Sequence, residues 1–202
     1  MDHSPNGLHG EIRGGLSFTP GVVGSVGSFD GKDDYVMVGE DSRLRPVQAV
    51  SVSACIRLQS YPRDWNEGCV VKNSVHRQPV GGYWMSICHV GNPKYREGLA
   101  VFNTLTTAQS GAIATVPLEL NTWNHVVGTF DGTTHRLYIN GSLDASSAQA
   151  PGEIKYLSDC KFSIGGKSEN VRRFRGDIDE VRVYSRALSA EEIQHLYILY
   201  KK

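Results

Sequence analysis

Apolar and polar residues alternate along Val50-Ser51-Val52-Ser53-Ala54-Cys55-Ile56-Arg57-Leu58. That period of two places Val50, Val52, Ala54, Ile56 and Leu58 on one face and predicts a half-buried β-strand. Shorter runs of the same kind recur at 69–72, 83–89, 99–102, 112–115, 123–130, 135–141 and 160–166, each bounded by polar or glycine-rich turns. Residues 16–18 form a weaker one. Ser28–Val38 reads as strand, Asp30-Gly31 turn, strand, and Asn140-Gly141 favours the positive φ angles of a type I′ hairpin. About a dozen short strands at this spacing predict an all-β fold, a two-sheet antiparallel sandwich. The helical period is confined to the end of the chain. Ser189 with Glu192 fits a capping box, and Ile193, Leu196 and Tyr197 make one apolar face, so a short C-terminal helix closes the sandwich.

One strand poses a chemical question. In Arg175-Gly176-Asp177-Ile178-Asp179-Glu180-Val181-Arg182-Val183-Tyr184, strict alternation puts Asp177 and Asp179 on the face of Val181 and Val183. Glu180, Arg182 and Tyr184 take the other face. A carboxylate on an apolar face requires a cation or several hydrogen-bond donors. The Asp-Ile-Asp-Glu run superficially matches the carboxylate pairs of glucanases, but Glu180 points away from Asp177 and Asp179, and the valines mark their face as core rather than cleft.

Composition narrows the function. With 21 basic and 21 acidic residues among 202, no overall field draws nucleic acid or an anionic membrane. No apolar run approaches the ~18 residues of a membrane span, so membrane insertion is not expected. The opening Met1-Asp2-His3-Ser4-Pro5-Asn6-Gly7 reads as the middle of a loop, and the chain is expected to be one domain excised from a longer, exported protein. Cys55, Cys69, Cys88 and Cys160 show no Cys-x-x-Cys spacing, and their three disulfide pairings and a free state all stay open.

Several segments, in order, carry a family resemblance: Asp2-His3-Ser4-Pro5-Asn6-Gly7-Leu8-His9-Gly10, Ser28-Phe29-Asp30-Gly31 with Asp34-Tyr35-Val36, and Val52-Ser53-Ala54. Trp123-Asn124-His125-Val126-Val127-Gly128-Thr129-Phe130-Asp131-Gly132, Leu137-Tyr138-Ile139-Asn140-Gly141, Ile164-Gly165-Gly166 and Gly176–Tyr184 continue it. The chain resembles the LamG-type (laminin G-type) domains of the concanavalin A-like lectin/glucanase superfamily across nearly its whole length. The resemblance implies a single jelly-roll domain over residues 1–202, lacking a first edge strand upstream of the opening loop. It also implies a structural calcium held by Asp2, Asn6, backbone oxygen near His9, and Asp179, a mixed oxygen set that suits calcium. The alternative for Asp179 is a set of loop amides. Similar domains carry tryptophan where this chain has Cys55, which opens room for a neighbouring side chain.

Sugar sites pair aromatic faces with polar side chains, and the loops offer Tyr61, Arg63, Trp65, Arg77, Tyr95 and Arg96 as ligand-binding candidates. Arg172, Arg173 and Arg175 form a basic cluster suited to acidic glycans or to plain solvation. Arg175-Gly176-Asp177 spells an adhesion tripeptide but belongs to the fold's own pattern. His125 and His135 read as strand residues rather than metal ligands. No Ser-His-Asp set, phosphate-cradling loop or lyase motif is visible. The sequence therefore predicts a non-catalytic module of an extracellular protein that binds a glycan or a protein partner. A purely structural or adhesion module is the alternative, and a polysaccharide-active hydrolase or lyase a more distant one.

Overall fold

The computed structural model describes residues 6–63, 68–74, 81–166 and 173–201. Fourteen strands in these segments build two sheets: β1 (Glu11–Arg13), β2 (Ser17–Pro20), β3 (Ser25–Asp30), β4 (Tyr35–Gly39), β5 (Val50–Leu58), β6 (Cys69–Ser74), β7 (Tyr83–Ile87), β8 (Ala100–Leu105), β9 (Gln109–Ile113), β10 (Asn124–Phe130), β11 (Thr134–Ile139), β12 (Ser142–Ala148), β13 (Lys161–Ile164) and β14 (Arg175–Tyr184). A 3-10 turn, Ser42–Leu44, precedes β5, and the helix α1 spans Ala190–Tyr200. The first sheet runs β1-β4-β13-β6-β7-β8-β9 and the second β12-β11-β10-β5-β14-β3-β2, seven strands each. Every neighbouring pair is antiparallel.

The core lies between the sheets. From the second sheet come Val50, Val52, Ala54, Ile56 and Leu58 of β5 with Val126 and Phe130; from the first come Val71, Tyr83, Met85 and Phe102. Alternation along β5 thus predicts its inner face correctly. Its other face is not solvated, however: Ser51, Ser53 and Cys55 are buried as well. The cause is α1, which lays Ile193 against Val127, Tyr138 and Leu188 on the outer face of the second sheet. Ser189 caps that helix by accepting from the Glu192 amide at 3.2 Å, while the Glu192 carboxylate accepts from the Ser189 amide at 2.8 Å. This reciprocal pair is the predicted capping box.

Two expectations are corrected. The Asp30-Gly31 turn does not close a hairpin, because β3 belongs to the second sheet and β4 to the first. Residues 31–34 instead carry the chain across the end of the sandwich. Asn140-Gly141 does close one: both residues have positive φ, 50° and 80°, as a type I′ turn between β11 and β12 requires.

The second correction concerns β14. Asp177 pairs with Arg57 and Asp179 with Cys55, but the next pair is Arg182 with Ser53. Glu180 and Val181 therefore stand together opposite Ala54, a β-bulge that inverts the alternation beyond it. Glu180 takes the left-handed conformation that accommodates the extra residue, at φ 49°. Asp177 and Asp179 consequently share the outer face with Cys55 and Arg57, while Val181 and Val183 pack into the core. Perfect alternation places all four on one side; a single bulged residue separates them.

The bulge gives a direct test. A β-branched side chain is strained in the left-handed region, whereas glycine is not. Glu180→Val is expected to lower unfolding stability by about 1–2 kcal/mol. Glu180→Gly is expected to stay within about 1 kcal/mol of the parent, both read as urea midpoints.

Candidate functional site

The outer face of the second sheet concentrates the polar chemistry. Along β5 that face presents Ser51, Ser53, Cys55 and Arg57, and the register brings Asp177 beside Arg57 and both Asp179 and His125 beside Cys55. Asp177 is nearly fully buried and is matched by a cation: Arg57 places Nε and Nη2 each 2.8 Å from its Oδ2. The same guanidinium lies 5.1 Å from the centre of the Trp123 ring, a cation–π contact.

Asp179 is matched by donors instead. Its Oδ2 accepts from the amides of Val22 at 2.8 Å and Val23 at 3.1 Å, and its Oδ1 accepts from the Glu180 amide at 2.9 Å. Val22 and Val23 occupy the turn between β2 and β3, so this carboxylate ties the edge hairpin to the centre of the sheet. Gly21 is required there, because a Cβ would stand 2.5 Å from Asp179 Oδ2 and 2.7 Å from Val26 Cβ.

Two depressions flank this framework. The first, of about 330 Å³, opens at the end of the sandwich where β3, β5 and β14 meet, and is lined by Ser28, Asp30, Lys32, Gln59, Arg63 and Arg175 among others. Asp30, Asp33 and Asp34 sit at its rim with carboxylate oxygens within 4.8 Å of one another. Asp34 Oδ2 accepts from the Asp30 amide at 2.8 Å, and the Lys32 ammonium stands 3.5 Å from Asp30. Burial, opposed by that amide and reinforced by the neighbouring carboxylates, raises the Asp34 pKa above its ordinary value.

The second depression, of about 340 Å³, lies between α1 and the sheet, with Val22, Cys55, Trp123, His125, Tyr197 and Tyr200 in its walls. The small side chain of Cys55 borders this space. Burial pushes its thiol pKa up to about 12, helped by the charges of Asp179 and Glu180, so it stays protonated. All four cysteines are buried and free of disulfides.

The two strand histidines are structural. His125 Nε2 meets Ser53 Oγ at 2.9 Å, and His135 Nε2 meets Thr104 Oγ1 at 2.8 Å inside the sandwich. Burial lowers both pKa values to about 4, assisted for His125 by Arg182, so both rings are neutral near pH 7.

The candidates from the sequence separate in space. Arg63 lines the polar cleft. Tyr61 belongs to the framework: its hydroxyl donates to the Leu118 carbonyl at 2.9 Å, and its ring lies where a Gly98 side chain would go. Tyr95 packs against the core edge with the Lys94 ammonium 5.0 Å from its ring centre, and Arg96 is exposed beside it. Trp65, Arg77 and Asp2 lie outside the described residues.

Asn6 offers its carbonyl to Arg43 at 3.0 Å, beside the 3-10 turn, and the strand that follows His9 joins the first sheet. Asp179 lies in the second sheet with three amides on its oxygens. Gln59 is absent from the sequence candidates, and His125 reads there only as a strand residue. Gln59 continues the outer parity of β5 and was legible on that ground; His125 gains its position only from pairing with Cys55.

A family model described as the concanavalin A-like lectin/glucanases superfamily matches residues 30–194. Over an alignment of 116 positions that covers 54% of it, this chain is 27% identical to mouse (Mus musculus) pappalysin-1. The match spans only 7% of that much longer protein. Among solved structures, domain 4 of AbnA, a GH43 extracellular arabinanase from Geobacillus stearothermophilus in complex with arabinotriose, superposes with a TM-score of 0.70 at 18% identity, covering 93% of this chain and 87% of that one. The binding domain of Paraclostridial Mosquitocidal Protein 1 gives 0.71 at 17% identity, with 97% and 48% covered. At such identities these likenesses establish the shared sandwich fold.

Two outcomes are expected. Asp179→Asn weakens the amide cluster and is expected to cost about 1–3 kcal/mol, equally in calcium and in a chelator; a loss seen only with calcium would show that an ion, not the amides, holds the carboxylate. The histidines make stability pH-dependent. Their folded pKa of about 4 lies below the ordinary 6.5, so between these values the unfolded chain binds more protons. Their contribution is full above pH 6.5 and is lost as pH falls toward 4. The expected loss is about 2–3 kcal/mol for each ring, and His125→Gln, which cannot titrate, should flatten the denaturation profile by one proton's worth of slope.

Proposed function

Because the chain belongs to the concanavalin A-like lectin/glucanase superfamily, we propose that it is a non-catalytic carbohydrate-binding module, carried as one part of a larger extracellular protein. The observation that carries this reading is the polar cleft beside Arg63. Asp30, Gln59, Arg63 and Arg175 converge there with the hydroxyls of Ser17 and Ser28 around a space of about 330 Å³. Carboxylate, amide and guanidinium groups each present two hydrogen-bonding atoms in one plane, which suits pairs of neighbouring sugar hydroxyls. Arg63, Arg175 and Lys32 also favour sugars that carry a carboxylate or sulfate. The arabinanase domain in complex with arabinotriose and the mosquitocidal-protein binding domain, which share the fold, support the same reading.

The carboxylates support binding over hydrolysis. A glycosidase needs two carboxyl groups on either side of the scissile bond, about 5–10 Å apart. Asp177 is held by Arg57, and Asp179 by three backbone amides. Asp30 and Asp34 stand on one turn, on one side of the cleft, and Asp34 is buried. No pair faces another across the space among the described residues.

A glycan array that includes arabino-oligosaccharides and uronic-acid polymers tests the proposal. Binding to at least one glycan class is expected, weakened about tenfold or more by Gln59→Ala or Arg63→Ala, with melting curves that superimpose on the parent's and no release of reducing ends. A blank array with retained capture of a defined extracellular protein would replace glycan recognition with the adhesion reading.

A further inference from the structure

We propose that Asn140 is an acceptor for an N-linked oligosaccharide when the chain passes through a eukaryotic secretory pathway. The inference rests on the extracellular placement proposed above and is independent of what the polar cleft binds. Asn140 is the only asparagine of the chain with serine or threonine two residues on and no proline between, in Asn140-Gly141-Ser142. The transfer joins its Nδ2 to the anomeric carbon of a sugar delivered on a lipid pyrophosphate. One proton leaves Nδ2 and the lipid pyrophosphate departs, so a single N–H of the amide is spent.

The fold leaves that N–H unused. Asn140 stands at the turn of the β11–β12 hairpin and grips the backbone of His125 twice. Its own amide donates to the His125 carbonyl at 2.8 Å, and its Oδ1 accepts from the His125 amide at 2.9 Å. Nδ2 has no hydrogen-bond partner among the described residues, and it is not sealed from solvent. Ser142, which completes the motif, is exposed. The Oδ1 bond fixes the amide group, so Nδ2 keeps one outward direction. A glycosylated asparagine retains its carbonyl oxygen, and the bond to His125 therefore survives the modification.

The helix crowds this turn at Gly141 and not at the acceptor nitrogen. A Cβ at Gly141 would stand 2.9 Å from Tyr197 Cδ1 and would also meet Gln194, so α1 covers the middle residue of the motif. Glycine has no side chain to place there, which lets helix and motif coexist. The hairpin leads into β12, the terminal strand of the second sheet, with β10 between it and the strands β5, β14 and β3 around the polar cleft. The oligosaccharide is thus attached away from the cleft.

The test secretes the full chain from a eukaryotic cell line behind a cleavable signal and measures its intact mass. One N-linked glycan is expected, removed by a peptide-N-glycosidase and localised to Asn140 by tandem mass spectrometry. Ser142→Ala, which leaves the Asn140 amide in place, is expected to abolish the addition. Asn140→Gln also removes the acceptor but disturbs the hairpin, so Ser142→Ala decides. In the glycosylated chain the His125 amide is expected to stay protected from hydrogen exchange, as the retained Oδ1 bond requires. If the chain is not secreted, translation into microsomes reads the same addition before folding. A chain exported or translocated without the addition, an addition that survives Ser142→Ala, or a His125 amide that loses protection on glycosylation would each overturn the proposal. A blank glycan array moves none of these readouts, so the two readings fail separately.

Discussion

The outer half of this molecule depends on how two buried carboxylates on β14 are neutralised. A carboxylate removed from water must be met by charge or by several donors, and neighbouring residues use one solution each. Asp177 takes Arg57, and the pair extends to Trp123. Asp179 takes the backbone of the Val22–Val23 turn and so fixes the β2–β3 hairpin to the sheet. Both are possible only because the bulge at Glu180 turns the aspartates outward while the following valines stay in the core. Without it, the same sequence would drive two carboxylates into the space filled by Ile56, Phe102 and Phe130.

This arrangement positions both depressions. The hairpin held by Asp179 supplies one wall of the aromatic cavity and, through Ser17 and Ser28, part of the polar cleft. The helix supplies the opposite wall of the cavity and seals the outer faces of β5 and β10. The Arg57–Asp177 pair, with Trp123 beneath the guanidinium, gives the sheet a rigid charged surface between them. Rigid strands presenting paired polar groups bind at low entropic cost, since little of the site must order when a ligand arrives.

The inner face of β5, the capping box at Ser189 and the Asn140-Gly141 hairpin were legible from residues alone, because each is set by short-range geometry. Period-two spacing, a reciprocal side-chain bond over three residues and a positive φ at a turn need no distant partner. The Asp30-Gly31 segment was misread for the complementary reason: a turn signal shows that the chain reverses or bends, not whether the next strand joins the same sheet. Arg63 is among the charged loop residues visible in sequence, and the fold places it in the lining of the polar cleft. Tyr61 and Tyr95 carry the same composition signal, but their rings and backbone are committed to the framework.

Sequence by itself therefore determined the all-β class, the order of most strands, the inward side of β5, the terminal helix and the membership of a lectin-like superfamily. It also determined that Asp179 must have partners. Only the tertiary structure decided who they are, since Val22 and Asp179 are 157 residues apart and meet through two strand pairings. It alone decided that the outer face of β5 is buried, because nothing within β5 reports a helix arriving from the far end of the chain. The one-residue bulge belongs to the same class. It follows from the competition between burying Val181 and Val183 and keeping Asp177 beside Arg57, a balance that exists only once the sheets are packed.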